Sequence, residues 1–323
     1  MVAELRLGRT SATNEWVVKF REPWRHRVVI SGDDGFPHVQ SVREFQQYPE
    51  GWCAYIFAHS FPRQSRSLRF RLEERNSFRD DWRLVTTFET RNPKRSRTEQ
   101  WSTNKTVTVN APNGVQAEIA EITVDLSTNA NLPSEYIATF PVRFTQSGVV
   151  LTNWVIMNST LTDATGNYGW LSGRSMWVPI SDGWRMHRVR PLDPTVPWRL
   201  RFNFAQDADF PKTNLLSFSV TWPLAGTIYT NLAGKPMRIG FVNTYMLDVE
   251  LMSKDSDVRL TFVSATDDSG ADLDDSSGSW GQHSFWKSLK LRNTSKPVQI
   301  KATVAIHPNF TNEVILQPRF VSR

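Results

Sequence analysis

Apolar and polar residues alternate along much of this sequence, and this period constrains the fold more than any other feature. Leu68, Phe70 and Leu72 alternate with charged residues, and the segments at 258–262 and 298–304 repeat the pattern. A period of two places alternate side chains on opposite faces of a β-strand. Such segments recur roughly every 10–15 residues between turn-forming clusters, a spacing typical of a sandwich or barrel. We therefore predict an all-β fold.

Helix-forming patterns are scarce, and the prolines indicate where the chain is divided. The best helical candidate is a short turn at residues 42–48, followed by Pro49. Three prolines within residues 190–197 predict an extended linker, because proline resists both helix and central-strand pairing. A chain of 323 residues fits two domains. We predict two tandem β-sandwich modules, immunoglobulin-like or jelly-roll-like, at residues 1–190 and 191–323, the first with an extra N-terminal hairpin.

The composition is that of a folded protein without a cysteine framework. Hydrophobic residues make up 39% and aromatic residues 12% of the chain, which is not the composition of a disordered segment. The one cysteine, Cys53, excludes an intramolecular disulfide and a cysteine-rich metal site. The N-terminus carries Glu4 and no apolar segment, and the longest uncharged stretch, 144–162, is interrupted by polar residues. We expect no signal peptide, no membrane insertion and a cytoplasmic location.

Sequence motifs of common catalytic and cofactor sites do not occur in this chain. It has no phosphate-binding loop, no dinucleotide fingerprint, no H-E-x-x-H and no G-x-S-x-G, and its six histidines lack ligand spacing. We therefore expect a non-enzymatic protein without a cofactor or a bound metal. The alternative of a polysaccharide-acting hydrolase stays open, because a pair of catalytic carboxylates need not be close in sequence.

Positive charge is concentrated in the first third of the chain. The net charge is +6, and 11 basic residues face 5 acidic ones between Arg63 and Arg97. Arginines that alternate with phenylalanine on a strand suit an anionic partner. The same arginines also fit the outward face of an amphipathic strand, and no nucleic-acid-binding motif accompanies them. We predict a protein contact surface, rather than a nucleic-acid surface, at a basic patch formed by Arg63, Arg66, Arg69 and Arg71.

An acidic segment at residues 267–278 is the natural counterpart of the basic patch. Its carboxylates are Asp267, Asp268, Asp272, Asp274 and Asp275. Five carboxylates on a loop suit calcium, but the spacing from Asp272 fails the EF-hand pattern, so a solvated hairpin tip is favoured and calcium is a side hypothesis. Opposite patches on one chain permit head-to-tail contacts between copies.

Three tryptophans, Trp170, Trp177 and Trp184, recur every seven residues in a glycine-rich stretch. Exposed aromatic rings on a β scaffold can stack on sugar rings, which makes these residues candidate glycan contacts. Core packing or a protein interface is the alternative, because a buried tryptophan contributes a large apolar area.

Two short turns carry a resemblance to known proteins. Residues 162–166 resemble residues 266–270, and each segment contains an aspartate followed by Thr-Gly or Ser-Gly. With the β-rich tail that follows, these turns resemble a group of uncharacterised two-module β-sandwich proteins of environmental bacteria. The resemblance implies the two-module β fold and no function.

The sequence thus favours a non-enzymatic structural or interaction subunit of a larger protein assembly, with protein partners or further copies of itself. A carbohydrate- or polymer-binding module that uses its tryptophan-rich loops is the first alternative, and the hydrolase is the second.

Overall fold

Almost all of the described chain forms β-strands. The computed structural model describes residues 4–9, 14–20, 26–33, 37–40, 44–48, 51–57, 61–77, 80–92, 95, 97–111, 113–126, 136–171, 177–180, 183–189, 192–193, 195–291 and 296–320. Within these ranges there is no α-helix, and a single 3-10 turn covers Lys212–Asn214. The predicted all-β fold is confirmed.

The strands are numbered in chain order. They are β1 (Glu4–Arg9), β2 (Asn14–Phe20), β3 (His26–Ser31), β4 (Pro37–Gln40), β5 (Glu44–Tyr48), β6 (Gly51–Phe57), β7 (Ser67–Glu74), β8 (Arg83–Arg91), β9 (Val107–Asn110), β10 (Val115–Ile119), β11 (Thr123–Leu126), β12 (Tyr136–Phe140), β13 (Val142–Gln146), β14 (Val149–Val150), β15 (Trp154–Asp163), β16 (Tyr168–Leu171), β17 (Trp177–Ile180), β18 (Gly183–Val189), β19 (Trp198–Gln206), β20 (Leu215–Trp222), β21 (Ile228–Leu232), β22 (Lys235–Asn243), β23 (Met246–Leu251), β24 (Val258–Thr266), β25 (Asp274–Trp280), β26 (Ser284–Leu289), β27 (Val298–Leu316) and β28 (Arg319–Phe320).

The strands form six sheets, and most of the neighbours are antiparallel. Their strand orders are β1-β2-β6-β5, β4-β3-β7-β8, β14-β13-β10-β9, β17-β18-β12-β11-β28, β21-β22-β23-β26-β25 and β16-β15-β19-β27-β20, with β24 also paired to β27 in the last. Strand β28 pairs with β11 in the parallel direction.

The chain divides into two compact units. Unit 1 comprises Met1–Val149, Ser159–Arg201 and Glu313–Arg323, and unit 2 comprises Val150–Asn158 and Phe202–Asn312. The division into tandem modules at residues 190 and 191 stays a prediction. In the part of the chain that is described, no helix is long and apolar enough to cross a membrane.

Strand β7 shows the expected alternation in unit 1. Leu68 and Phe70 are 0% exposed and Leu72 is 4% exposed, whereas Arg69 and Arg71 between them are exposed. The apolar face of β7 packs with β3 and Phe61 in one cluster. A strand with this pattern is stable only when its apolar face is covered, so the period of the sequence fixes which face of β7 carries the arginines.

Unit 2 packs two sheets around a common core. Buried residues from β20, β24 and β27 form one cluster with residues from β22, β23 and β26, including Phe218, Met237, Val249 and Phe285. Facing sheets that bury alternate residues are the defining feature of a β-sandwich. The outer face of β20 carries Ser217 and two further small hydroxyl residues.

Two local predictions were wrong. The expected helical turn at 42–48 contains β5, which pairs with β6 from Glu44 opposite Tyr55 to Tyr48 opposite Gly51. Pairing with a neighbouring strand overrides a weak local preference, because it satisfies the backbone hydrogen bonds of the whole segment.

The second correction concerns β24, where the alternation of residues 258–262 does not separate a buried apolar face from an exposed polar one. Arg259 is 5% and Thr261 is 8% exposed, so the polar face of this strand is covered as well as the apolar one. The side chain of Thr261 is satisfied there, because its Oγ1 lies 2.9 Å from His307 Nε2 on the neighbouring β27.

Candidate interaction surfaces

The arginines of the basic patch that lie on β7 are already paired within unit 1. The guanidinium of Arg69 lies 2.6 Å from a carboxylate oxygen of Glu89, and that of Arg71 lies 2.5 Å from one of Glu73. Glu73 also binds Arg27 at 2.6 Å, and both of these side chains are nearly buried. The outward face of β7 therefore carries ion pairs rather than free positive charges.

The other two members of the patch lie in the segment before β7. Arg63 donates from Nε to Asn167 Oδ1 over 2.8 Å, and its guanidinium lies 4.4 Å from the ring centroid of Phe61. Arg66 is exposed, and its backbone N–H donates to Asp33 Oδ2 over 2.8 Å. Of the four predicted residues, Arg66, Arg69 and Arg71 are exposed and Arg63 is half-buried.

The acidic loop in unit 2 is also partly neutralised by its neighbours. Asp274 lies 2.6 Å from the ammonium group of Lys287, whose side chain is 5% exposed, and Asp272 lies 3.4 Å from that of Lys290. Ser288 Oγ donates to Asp275 Oδ2 over 2.8 Å.

These contacts leave little unpaired charge for a calcium ion or for the basic patch of another copy. Asp268 is exposed, whereas Asp267 organises the turn described below. Among the residues with a described structure, no group of three or more His, Cys, Asp and Glu side chains converges as a metal site. The head-to-tail charge pairing stays a prediction.

A buried carboxylate organises the turn between β15 and β16 in unit 1. Asp163 is 0% exposed, and its Oδ1 accepts hydrogen bonds from Thr165 N, Thr165 Oγ1 and Asn167 N at 2.7–2.9 Å. Its Oδ2 accepts from Asn167 Nδ2 at 2.8 Å and from Asp193 N at 2.7 Å. Burial nevertheless raises the pKa of Asp163 above its usual value.

The same turn links distant segments of unit 1. Asn167 Oδ1 accepts from the backbone N–H of Phe61 at 3.1 Å as well as from Arg63. The backbone C=O of Ala164 accepts from Glu99 N–H, and its N–H donates to the C=O of Pro197. Asp163 and Asn167 thus have a structural role, since their side chains join this turn to the segments at residues 61–63 and at Asp193.

The related segment in unit 2 forms the same turn at the protein surface. Asp267 Oδ1 accepts from Ser269 N, Ser269 Oγ and Ala271 N at 2.6–2.9 Å. The glycines of the two turns, Gly166 and Gly270, have φ values of 90° and 84°, a region that favours glycine. These hydrogen bonds lower the pKa of Asp267, and the one from the Ser269 side chain has the largest effect.

The chain was compared with known proteins at the levels of family, sequence and fold. No family model, curated protein or solved structure matches it. The resemblance of its turns to the bacterial β-sandwich proteins stays a prediction.

The three tryptophans proposed as glycan contacts do not lie in one sheet. Trp170 is in β16, whereas Trp177 in β17 and Trp184 in β18 are two positions apart on paired strands. Their side chains lie outside the described residues, so the glycan hypothesis stays a prediction.

Unit 2 contains a pocket of ≈ 330 Å³ next to the start of β20. Its polar lining includes Lys235, Asp257 and His307, and its apolar lining includes Leu216 and Val258. The pKa of His307 is lowered to about 4, mainly by burial and also by the positive charge of Arg259. An imidazole with this pKa is neutral and weakly basic at neutral pH, which does not favour general-base catalysis.

One sheet edge in unit 2 lacks the usual protection against pairing with another chain. Among the described strands, β20 lies at the end of its sheet. It pairs with β27 over eight consecutive residues without a bulge, from Leu215 opposite Ala305 to Trp222 opposite Val298. Its sequence, LLSFSVTW, contains no charge and no proline. An edge strand of this kind presents unpaired backbone groups that can template another strand.

Other described edge strands carry the protective features that β20 lacks. Strand β8 contains Arg83, Glu89 and Arg91 and a register shift opposite β7, and β25 contains two aspartates and a register shift opposite β26. The uncharged edge strands β9 and β21 are only four and five residues long. Charge, bulges and short length all limit edge pairing, so β20 is the least protected of these edges against pairing with another strand.

Proposed function

We propose that this protein is a non-enzymatic structural or interaction subunit of a larger protein assembly, and that it associates through a sheet edge. The observation that carries this proposal is the eight-residue, uncharged and regular edge strand β20. A protein that remains monomeric has reason to interrupt such an edge with a charge, a proline or a bulge.

Hydrogen bonding and apolar contact both favour pairing at this edge. Each backbone hydrogen bond formed in place of one to water contributes about 0.5–1.5 kcal/mol. Leu215, Leu216 and Trp222 are half-buried, so a strand laid beside β20 would remove further apolar surface from water. Neither contribution depends on long-range charge.

The internal ion pairs support an edge rather than the charged patches as the main contact. Arg69, Arg71, Asp272 and Asp274 already have partners of opposite charge at 2.5–3.4 Å. Breaking these pairs to form new ones between copies would bring little net free energy, since exposed ion pairs contribute about 0–1 kcal/mol.

Light scattering on the purified chain, at low and at high salt, tests the proposal. We expect species heavier than 37.1 kDa whose association persists at high salt. Association that disappears at high salt would instead support the charged patches. A 37.1 kDa monomer under both conditions would contradict self-assembly.

A further inference from the structure

We infer that the partner of β20 is the β20 strand of a second copy, in an antiparallel pair whose two-fold axis passes through Ser219. This inference rests on the proposed function and adds the partner and the register. It follows from the order of side chains along a strand that has β27 on one side and no described strand on the other.

The sequence of β20 is complementary to itself in this register. A two-fold axis at Ser219 places Leu216 opposite Trp222 and Phe218 opposite Val220 on the core face. Paired residues of an antiparallel ladder point to the same face, so each apolar side chain meets an apolar one.

The outer face is complementary as well. Ser217 lies opposite Thr221, and Ser219 lies opposite its own copy, so small hydroxyl groups meet small hydroxyl groups. These three residues are exposed in the single chain. The whole segment from Leu216 to Trp222 therefore pairs without a steric or polar mismatch.

Neighbouring registers either create mismatches or pair fewer residues. An axis at Val220 keeps the faces matched, but it pairs only residues 218–222 because Ser217 then lies opposite Pro223. Sliding one strand by one residue relative to the other sets Phe218 opposite Ser219. Apolar residues then lie opposite polar ones throughout the pair. An axis at Phe218 restores the faces but sets Leu215 opposite Thr221. The axis at Ser219 avoids both mismatches.

Charges on the adjacent strand do not oppose the pairing. Lys301 on β27 lies opposite Ser219. In the paired sheet, the two copies of Lys301 would be separated by three strand spacings, about 14 Å. This exceeds the Debye length of about 8 Å at physiological ionic strength, so their repulsion is largely screened.

A charge exchange across the predicted axis tests the register in solution. The double variant Ser217→Lys/Thr221→Lys creates two like-charged cross-strand pairs in the dimer, and Ser217→Lys/Thr221→Glu creates two opposite-charged pairs. Both variants lose the same exposed side-chain contacts to Thr303 and Gln299, so each is the control for the other. A change of about 1 kcal/mol in each of two pairs predicts a dimer dissociation constant roughly 30-fold higher for the lysine–lysine variant, measured by sedimentation equilibrium.

Disulfide trapping of single-cysteine variants gives an independent result if the charged variants do not fold. With Cys53 replaced by serine, Ser219→Cys should form a covalent dimer under mild oxidation, because residues paired directly across an antiparallel ladder have Cα atoms about 4.5–5.5 Å apart. Ser217→Cys is the control, since its two copies would be displaced by four residues along the strands, about 14 Å.

The outcomes separate this inference from the proposed function. A lower dissociation constant for the lysine–glutamate variant, with trapping only at residue 219, supports the β20 pair. Equal dissociation constants in the two charged variants, or equal trapping at residues 217 and 219, overturn the inference while leaving the assembly proposal standing. A wild-type chain that stays monomeric at every concentration overturns both forms of self-association.

Discussion

Replacing Asp163 with asparagine should destabilise unit 1 far more than the same replacement at Asp267 destabilises unit 2. At both positions one carboxylate oxygen accepts the three hydrogen bonds that define the turn, and an amide oxygen can take over this role. The difference lies in the second oxygen. At Asp163 it accepts from two further donors, Asn167 Nδ2 and Asp193 N, at 2.8 and 2.7 Å.

The magnitude follows from these two lost acceptors. In Asp163→Asn, an NH₂ group would face two N–H donors in a site that is 0% exposed. A buried polar group without a partner costs about 1–3 kcal/mol. The smaller penalty for burying a neutral amide instead of a carboxylate offsets part of this destabilisation, because burial disfavours the charged form of Asp163. We expect a net loss of about 2–4 kcal/mol in the free energy of unfolding.

Urea unfolding followed by tryptophan fluorescence measures the effect. Asp267→Asn is the matched control, because its turn has the same hydrogen bonds at an exposed position, and we expect a much smaller loss there. Equal effects of the two substitutions would refute the assignment of a stabilising role to the second oxygen of Asp163.

Two further predictions concern buried charge. Glu73→Gln should lower the free energy of unfolding by about 3 kcal/mol, because it leaves the nearly buried Arg27 without its anionic partner. Glu89→Gln removes an exposed ion pair and should lower it by less than about 1 kcal/mol. Similar losses for the two variants in denaturant titrations would contradict this ordering. His307 has a pKa of about 4 in the folded protein against 6.5 for the free side chain, so between these pH values the unfolded state binds the proton and the folded state does not. Stability should therefore rise by about 3 kcal/mol from pH 4 to 6.5, and the rise should be absent in His307→Gln; a similar rise in that variant would show that other groups cause it.

The sequence predicts local strand structure well because the signal is local. In β7 each apolar residue is buried and each arginine between them is exposed, as the period of two requires. In β24 the same pattern misleads, since Arg259 and Thr261 are buried, and Thr261 contacts His307 of β27. Whether the polar face of a strand meets water is decided by packing, which the period does not report.

The candidate surface was visible in the sequence only in part. The absence of charge in LLSFSVTW can be read directly, but the position of β20 at the end of a sheet depends on its pairing with β27, about 80 residues away. The basic and acidic patches could be found from composition, whereas the ion pairs that neutralise them, such as Arg69 with Glu89, depend on strand register. The Asp163 turn has a recognisable motif, but its burial does not follow from that motif.

Hydrogen exchange of the wild-type chain at increasing protein concentration is the most direct test of association through β20. The edge-facing amides of Leu215–Trp222 exchange through contact with water in the monomer and become hydrogen-bonded in the pair. We predict that protection of this segment increases with concentration, together with the average mass, while strands such as β10 in the interior of another sheet stay unchanged. Protection of residues 215–222 that does not depend on concentration, in a chain that associates or in one that remains at 37.1 kDa, would contradict the account.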